Sequence, residues 1–411
     1  MFSSIKKDRE VSGLIEKEKK RQENTLNLIA SENYPSRAVR EALSSIFVVK
    51  YSEGRPYKRY YAGMENIDKL ETLVEERVKK LFLGNKKGFV VNVQPYSGSP
   101  ANYAVLKALL KPGDKIMSLS LPHGGHLSHG AKVSIAGSEF KIVNYFLDKK
   151  TNLLDYKEIE KRAKKEKPKL IIAGFSAYPR KVDFKKFKEI SDKVGAYFLA
   201  DIAHIAGLIA GKVHPSPFPY ADVVTFTTQK TLRGPRGAVI VCKQELEKKI
   251  FSKVFPGLQG GPHNHTICAI GIALKEAMGL KFKKYTKQVI LNAKALAKEL
   301  KRYGFRLVSG GTDSHLLLVD LTNKNIFGKE AQELLEKAGI VCNRNTIPYD
   351  VRSPFNPSGI RLGTPALTTR GMKEKEMKKV AFWINEVISN PKAYLKVRKE
   401  IKAFCKKYPI D

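Results

Sequence analysis

Seven short apolar runs between residues 88 and 242, most of them separated by stretches of helical periodicity, constrain this chain more than any other feature. They read GFVVNV, KIMSLS, FKIVNYF, KLIIAGF, AYFLA, DVVTFT and AVIVC. Runs that are apolar throughout, rather than alternating, mark strands buried on both faces; strands alternating with helices make a mostly parallel sheet in an α/β domain. The last pair departs from the rhythm. Only ten residues lie between DVVTFT and AVIVC, where a parallel crossover needs roughly a dozen or more, so these two strands are expected to be antiparallel.

After the glycine-rich FPGLQGGP (255 to 262), the spacing predicts a long amphipathic helix from about 263 to 303, broken near Gly279. The remainder reads as a smaller α+β unit: strand 315 to 321, helix 328 to 338, strands 340 to 343 and 359 to 363, then helices 371 to 389 and 391 to 407. A charged helical arm of the kind that packs on a second subunit precedes residue 31. The expected division is an arm over 1 to 30, a large domain over 31 to 278 and a small C-terminal domain over 279 to 411.

Composition narrows the function classes. No apolar run approaches the roughly 20 residues that span a bilayer, and the first 25 positions lack the apolar stretch of a secretory signal, so a cytoplasmic protein without membrane partners is expected. The 75 Lys and Arg against 40 Asp and Glu leave a net charge of +35, which attracts polyanions. The lysines nevertheless fall in runs such as KRAKKEKPK (161 to 169) and KVRKEIKAFCKK (396 to 407), where apolar residues recur at helical spacing. Those are solvated helix faces, no aromatic-interleaved RNA signature accompanies them, and no nucleic-acid partner is expected. The four cysteines form no CxxC or Cys/His cluster and are expected to be reduced and structural.

In open α/β sheets, ligands gather at the carboxyl ends of strands, so the polar residues after the apolar runs carry the chemistry. Ser97, Gly98 and Ser99 close the first run and open a helix, offering N–H groups and hydroxyls to a phosphate, or simply capping that helix. Asp201 follows AYFLA, where a carboxylate suits a protonated pyridine nitrogen, and equally a cap or a metal ligand. His204, three residues on, also reads as a core histidine. Lys230, in a turn flanked by Thr227, Thr228 and Thr231, is either a surface lysine or a half-buried amine with the lowered pKa that a Schiff base needs. His126, in LPHGGHLSHG, has the shape to stack on a pyridine ring. Three histidines in seven residues invite a metal, but no helical i, i+4 pair or nearby carboxylate supports one, and none is expected. Phosphate loop, stacking residue, Asp and then Lys about thirty residues later is the order found in fold-type I enzymes of pyridoxal 5'-phosphate (PLP), the cofactor that acts as an electron sink.

From NLIASENYPS (27 to 36) and KYSEGRPYKRYYAG (50 to 63) through ADIAHIAGLIAG (200 to 211), TTQKTLRGPRG (227 to 237) and FPGLQGGP to SPFNPSGIRLGTPALTTRG (353 to 371), ten blocks in order resemble serine hydroxymethyltransferases. The resemblance implies an aspartate aminotransferase-like, fold-type I α/β large domain with a mostly parallel seven-stranded sheet, and a smaller α+β C-terminal domain. It implies interconversion of serine and glycine with the hydroxymethyl carbon passed to a reduced pterin as a methylene group. A threonine aldolase-like lyase, which needs no pterin, is the alternative.

By the same resemblance Lys230 holds the cofactor, Asp201 its ring nitrogen and His126 its ring face. Ser176 and His204 lie near its phenolic oxygen, and Arg236 near the lysine. Ser97, Gly98 and Ser99 take the phosphate, which Tyr51, Gly260 and Gly261 reach from the second subunit of a homodimer. Arg361 and Ser31 hold the substrate carboxylate, Glu53 carries a proton, and Tyr61 stands beside it. Leu121, Gly125, Leu127, Asn345, Ser353, Pro354 and Phe355 face the pterin. Taken alone, Glu53 reads as a loop carboxylate paired with Arg55 or Arg59. Three positions depart from the common bacterial pattern: Gln229 replaces histidine, Tyr57 replaces glycine, and Asn356-Pro357 follow the SPF triplet. They leave tetrahydromethanopterin beside tetrahydrofolate as the carrier and point to Gln229 as a determinant of carrier handling.

Overall fold

The computed structural model describes residues 5 to 410; the first four positions of the expected arm, and Asp411, lie outside the described residues. All seven apolar runs are strands of one sheet: β1 (Phe89–Asn92), β2 (Lys115–Leu119), β3 (Lys141–Tyr145), β4 (Leu170–Gly174), β5 (Tyr197–Asp201), β6 (Val223–Thr227) and β7 (Ala238–Lys243). Their spatial order is β1-β7-β6-β5-β4-β2-β3. Neighbours from β6 through β5, β4 and β2 to β3 run parallel, while β7 is antiparallel to both β6 and β1. The short connection therefore does what its length dictates, and the mixed α/β sheet expected from the sequence is borne out.

Capping closes the crossovers. Asp155 and Asp183 accept backbone N–H bonds at the starts of helices Tyr156–Glu166 and Phe184–Val194, which end on left-handed Lys167 and Gly195. Five residues beyond β1, helix α1 (Gly98–Leu109) begins at Ser97. The expected long helix is two: α2 (Asn264–Ala277) and α3 (Leu280–Arg302), parted at Met278 and Gly279. Phe282, Tyr285 and Val289 at the start of α3 pack into the core beneath the large sheet, whereas Leu296 and Leu300 join a second core around Trp383, Leu317 and Ile360. One helix thus couples two hydrophobic cores.

That second core underlies a four-stranded antiparallel sheet, in the order β8-β9-β11-β10, of β8 (Arg306–Leu307), β9 (Leu316–Asp320), β10 (Asn343–Asn345) and β11 (Gly359–Gly363). The strand expected at 340 to 343 is shorter: Ile340–Val341 pairs in parallel with Leu26–Asn27, outside this sheet. Strand β10, with the polar sequence NRN, gives no apolar signal; only its backbone pairing with β11 makes it a strand. Leu26 and Leu28, at the end of the expected arm, are fully buried in the second core. Among the described residues no helix is long and apolar enough to cross a membrane.

Candidate active site

A cavity of about 430 Å³ opens at the carboxyl ends of the parallel strands, between the two cores. Asp201, the last residue of β5, forms its floor. Its Oδ2 accepts from Asn102 Nδ2 at 2.8 Å and His129 Nε2 at 2.8 Å, and its Oδ1 from the Ala203 N–H at 3.0 Å. Thr225 in turn donates to Asn102 Oδ1 at 2.6 Å. Burial pushes the Asp201 carboxyl up, but the hydrogen bond and charge of His129, with His126 and Asn102, outweigh it and hold the group below the usual carboxylate range. A buried carboxylate kept ionised in this way fits a protonated ring nitrogen.

Lys230 lies three residues past β6, in the turn to β7, and faces the same cavity. Burial pushes its amine down to about 8; Asp201 opposes this, while Arg361 and Arg236 add to it. Arg361, on β11, reaches the cavity from the small sheet and donates to the Ser176 carbonyl at 2.7 Å and Asn343 Oδ1 at 3.1 Å. Burial lowers it to about 10. Among the described residues no carboxylate forms an ion pair with Arg361 or Lys230, and the Asp201 carboxylate in the same cavity is taken up by His129 and Asn102, so anionic ligands suit this side of it. Ser31 lines this side of the cavity, and Arg236, mostly exposed, lines its rim.

The other end is built for a phosphate. Ser97 is extended and caps nothing with its side chain, so its hydroxyl and the first N–H groups of α1 stay free beside Gly98 and Ser99. A Cβ on Gly98 would lie 2.7 Å from Thr227 Cγ2, so only glycine fits between helix and strand. Thr227 Oγ1 and Gln229 Oε1 are buried without hydrogen-bond partners among the described residues, and both residues line the cavity. On the facing wall His126, which burial pushes down to about 4, is held through Nδ1 by Ser128. Ser176 and His204 line the cavity too, as do buried Gly125 and the exposed Leu121 and Leu127.

The histidine-rich loop divides its labour. His123 accepts from Leu147, His126 faces the cavity and His129 grips Asp201. The sequence reading missed His129, Asn102 and Thr225 as the support of Asp201. Asn102 stands one helical turn after Gly98 on the helix that opens at the phosphate end, a spacing that pointed to it. Nothing local marks Thr225, whose bond to Asn102 joins strand β6 to helix α1 across 123 residues.

The remaining expected residues lie elsewhere. Tyr51, Glu53, Tyr61, Gly260 and Gly261 form a separate cluster outside the cavity lining. Tyr61 donates to Glu53 Oε2 at 3.2 Å, the Tyr51 and Tyr61 rings are 5.6 Å apart, and a Cβ on Gly260 would meet Glu53 Oε1 at 3.1 Å. The reading of Glu53 as a partner of Arg55 or Arg59 is not what the fold adopts. Arg55 pairs with Glu71 and Glu75, and Arg59 with Asp68 and Glu71, all on helix Glu65–Val78. These bonds fix the hairpin Gly54–Arg55/Lys58–Arg59 and leave Glu53 free. Asn345 sits half-buried on β10, and Ser353, Pro354 and Phe355 are exposed on the loop before β11. That loop is tied beside the mouth by Thr346 to the Pro122 carbonyl and Tyr349 to the Leu147 carbonyl.

An ionised aspartate at one strand end, an amine brought near neutrality just past the end of the next strand, an open helix N-terminus and a buried arginine without an ion-pair partner fit pyridoxal phosphate and define a fold-type I enzyme of that cofactor. The serine hydroxymethyltransferase family profile matches residues 5–384. A serine hydroxymethyltransferase of Desulfotalea psychrophila is 55% identical over 412 residues, covering 100% of this chain and 96% of that protein. The chain belongs to the serine hydroxymethyltransferase family.

Proposed function

We propose that the cavity and the separate Glu53 cluster are the two halves of one active site, completed between copies of this chain. The enzyme interconverts serine and glycine and passes the one-carbon unit to a reduced pterin, in one-carbon and amino-acid metabolism. Pyridoxal phosphate, when bound, supplies the sink for the electron pair left on the amino acid's α-carbon. Lys230 would hold the cofactor through its amine, Asp201 would keep its ring nitrogen protonated, and His126 would pack against the ring. Ser176 and His204 serve the phenolic oxygen. Ser97, Gly98 and Ser99 bind the phosphate, with Tyr51, Gly260 and Gly261 contributed by a second copy. Arg361 orients the substrate carboxylate with its planar fork, helped by Ser31, and Arg236 lowers the charge on Lys230.

From the second copy, Glu53 moves a proton between the substrate hydroxyl and the pterin, with Tyr61 holding its carboxylate. Leu121, Gly125 and Leu127 offer the pterin an apolar slot, and Asn345 with Ser353, Pro354 and Phe355 flanks it. Release of Glu53 from Arg55 and Arg59 supports a proton-carrying role over a structural one. A cytoplasmic location belongs to the same reading.

The observation that carries the proposal is Lys230, brought to about 8 and facing the same cavity as Asp201 and Arg361. An absorption spectrum tests it. Purified protein with pyridoxal phosphate is expected to show the cofactor bound to lysine, and glycine plus a reduced pterin to add a new long-wavelength band. Rapid cleavage of 3-hydroxy amino acids with no spectral response to tetrahydrofolate or tetrahydromethanopterin overturns the pterin assignment in favour of a lyase.

A further inference from the structure

Two residues beyond Ser31, the side chain of Asn33 ties distant parts of the chain together. Its Nδ2 donates to the Lys230 carbonyl at 3.0 Å, in the turn between β6 and β7, and to Tyr285 Oη at 2.7 Å, on α3. Its Oδ1 accepts from the Thr369 hydroxyl at 2.7 Å and from the Tyr34 N–H at 2.9 Å. Both amide protons and both oxygen lone pairs are therefore used. The amide can face only one way. A backbone carbonyl never donates and a backbone N–H never accepts, so Lys230 fixes the position of the nitrogen and Tyr34 that of the oxygen.

These bonds join the two sides of the cavity. Among the described residues the other donor to the Lys230 carbonyl is the Arg233 N–H at 3.1 Å, a bond inside the same turn. The neighbouring Thr231 is anchored beneath the large sheet, where its hydroxyl donates to the His204 carbonyl at 2.9 Å and accepts from the Gly207 N–H at 3.0 Å. Asn33 carries the connection of the turn onward to the small sheet. Thr369 ends the short helix Pro365–Thr369, which follows directly on β11, the strand of Arg361. Gly363, the last residue of β11, donates to the Leu28 carbonyl at 2.7 Å. The segment from Leu28 to Asn33 is thus bonded to the strand of Arg361 at one end and to the Lys230 turn at the other, and Ser31 between them lines the cavity.

We propose that Asn33 is a positioning residue that sets Lys230 in register with Arg361. Its use in catalysis rests on the cofactor assignment above. A substrate whose carboxylate lies on Arg361 must bring its own amine to the place that the Lys230 amine gives up, so the span from guanidinium to amine is a working dimension of the site. Asn33 holds that span through the backbone of Lys230 and leaves the lysine side chain free to swing aside. It is not among the residues that line the cavity, so it acts through Lys230 and not on a ligand.

The two sides of the link can be cut separately. Apoprotein mixed with saturating pyridoxal phosphate reads the lysine side alone, as the first-order rise of the lysine-bound absorption. Asn33→Ala is expected to slow that rise about tenfold and to lower kcat/KM for serine, counted per filled site, at least as much. Thr369→Val removes only the hydroxyl on the Arg361 side. It should capture the cofactor at the wild-type rate and lower kcat/KM for serine a few-fold. A merely structural Asn33 would reduce the melting temperature and the fraction of sites that fill while leaving the rate in filled sites unchanged, and that result overturns the proposal. If Asn33→Ala does not fold, an unchanged kcat/KM in Thr369→Val overturns it. Wild-type apoprotein that takes up no pyridoxal phosphate overturns the cofactor assignment instead. Amide exchange at Arg233, expected to quicken about tenfold in Asn33→Ala, then still decides whether Asn33 holds the turn, and an unchanged rate overturns that too.

Discussion

The Lys230 cavity and the Glu53 cluster differ in how much of their environment one chain provides. Asp201, Arg361 and His204 are held by hydrogen bonds within this chain and are largely sealed from water. In the other cluster Tyr51 is 60% exposed and Tyr61 42% exposed, and among the described residues Glu53 has one side-chain hydrogen-bond partner, the hydroxyl of Tyr61. The exposed side chains nearby include Ile46, Val48, Val49 and Tyr60, an apolar surface of the kind that marks an interface. The cavity is preorganised by the fold, whereas the cluster is preorganised only at its base, through Arg55 and Arg59. Substitutions in the first should act within one chain, and those in the second should be repairable by another.

The largest effect belongs to the cavity. Lys230→Ala is expected to lower kcat by at least on the order of 10³-fold and to abolish the absorption of lysine-bound cofactor, measured in one preparation. Glu53→Gln is expected to cost on the order of 10²-fold in pterin-dependent transfer while leaving that absorption intact. Mixing the two inactive proteins under conditions that exchange subunits then tests the comparison itself. Random hybrids of a twofold dimer carry one intact site each, so activity should recover to about a quarter of wild type. No recovery despite exchange would place Glu53 and Lys230 in the same subunit's site and break the comparison.

The base of the cluster has its own pH response. Glu75 is pushed up to about 7 by burial, with Arg55 opposing and Glu71 adding to the shift. A carboxyl whose folded pKa exceeds its unfolded one adds stability below about pH 4.3, and that contribution is lost as pH rises through about 7. Glu75→Gln should remove this decline, about 1 to 3 kcal/mol, from denaturant titrations compared at pH 5 and about 8. Identical pH slopes in the two proteins would show that Glu75 is ionised throughout.

A smaller effect probes the cavity's charge. Capture of pyridoxal phosphate by the apoprotein should rise with pH around a midpoint of about 8, because only the neutral amine attacks the aldehyde. Replacing Arg361 by methionine removes a neighbouring cation and should move that midpoint upward by about one unit. A midpoint that stays in place would mean that burial alone depresses the amine.

Much of this was legible in the sequence because strand burial and strand ends leave local marks. Seven apolar runs gave seven strands, and a ten-residue connection gave the antiparallel pair. Ser97, Asp201, Lys230 and Arg361 follow or lie on such runs, and all line one cavity. What escaped is what depends on partners far apart in the chain. His129 and Asn102 converge on Asp201 from 72 and 99 residues away, and His315 meets His204 across 111 residues. The strand at Asn343–Asn345 exists through its neighbour's backbone. Pairing between Glu53 and a nearby arginine was the natural local reading, and it failed because helix Glu65–Val78 presents three carboxylates that claim both arginines.

Gln229 joins the two regions, because it precedes Lys230 in the chain and its Oε1 is buried and unpaired in the cavity wall. An unpaired buried carbonyl costs on the order of 1 to 3 kcal/mol until something donates to it. A donor on the bound pterin or on a second copy would remove that cost. Histidine at this position presents a ring nitrogen in place of the amide, with one donor and one acceptor instead of the amide's two donors and one carbonyl. Gln229→His is therefore expected to change the ratio of kcat/KM for tetrahydrofolate over tetrahydromethanopterin by a few-fold, about 1 kcal/mol, with kcat for pterin-independent cleavage unchanged. Equal ratios in wild type and variant would confine Gln229 to the cavity wall. A fall in both activities together would instead place it with Lys230, as a residue of the cavity rather than of the junction between subunits.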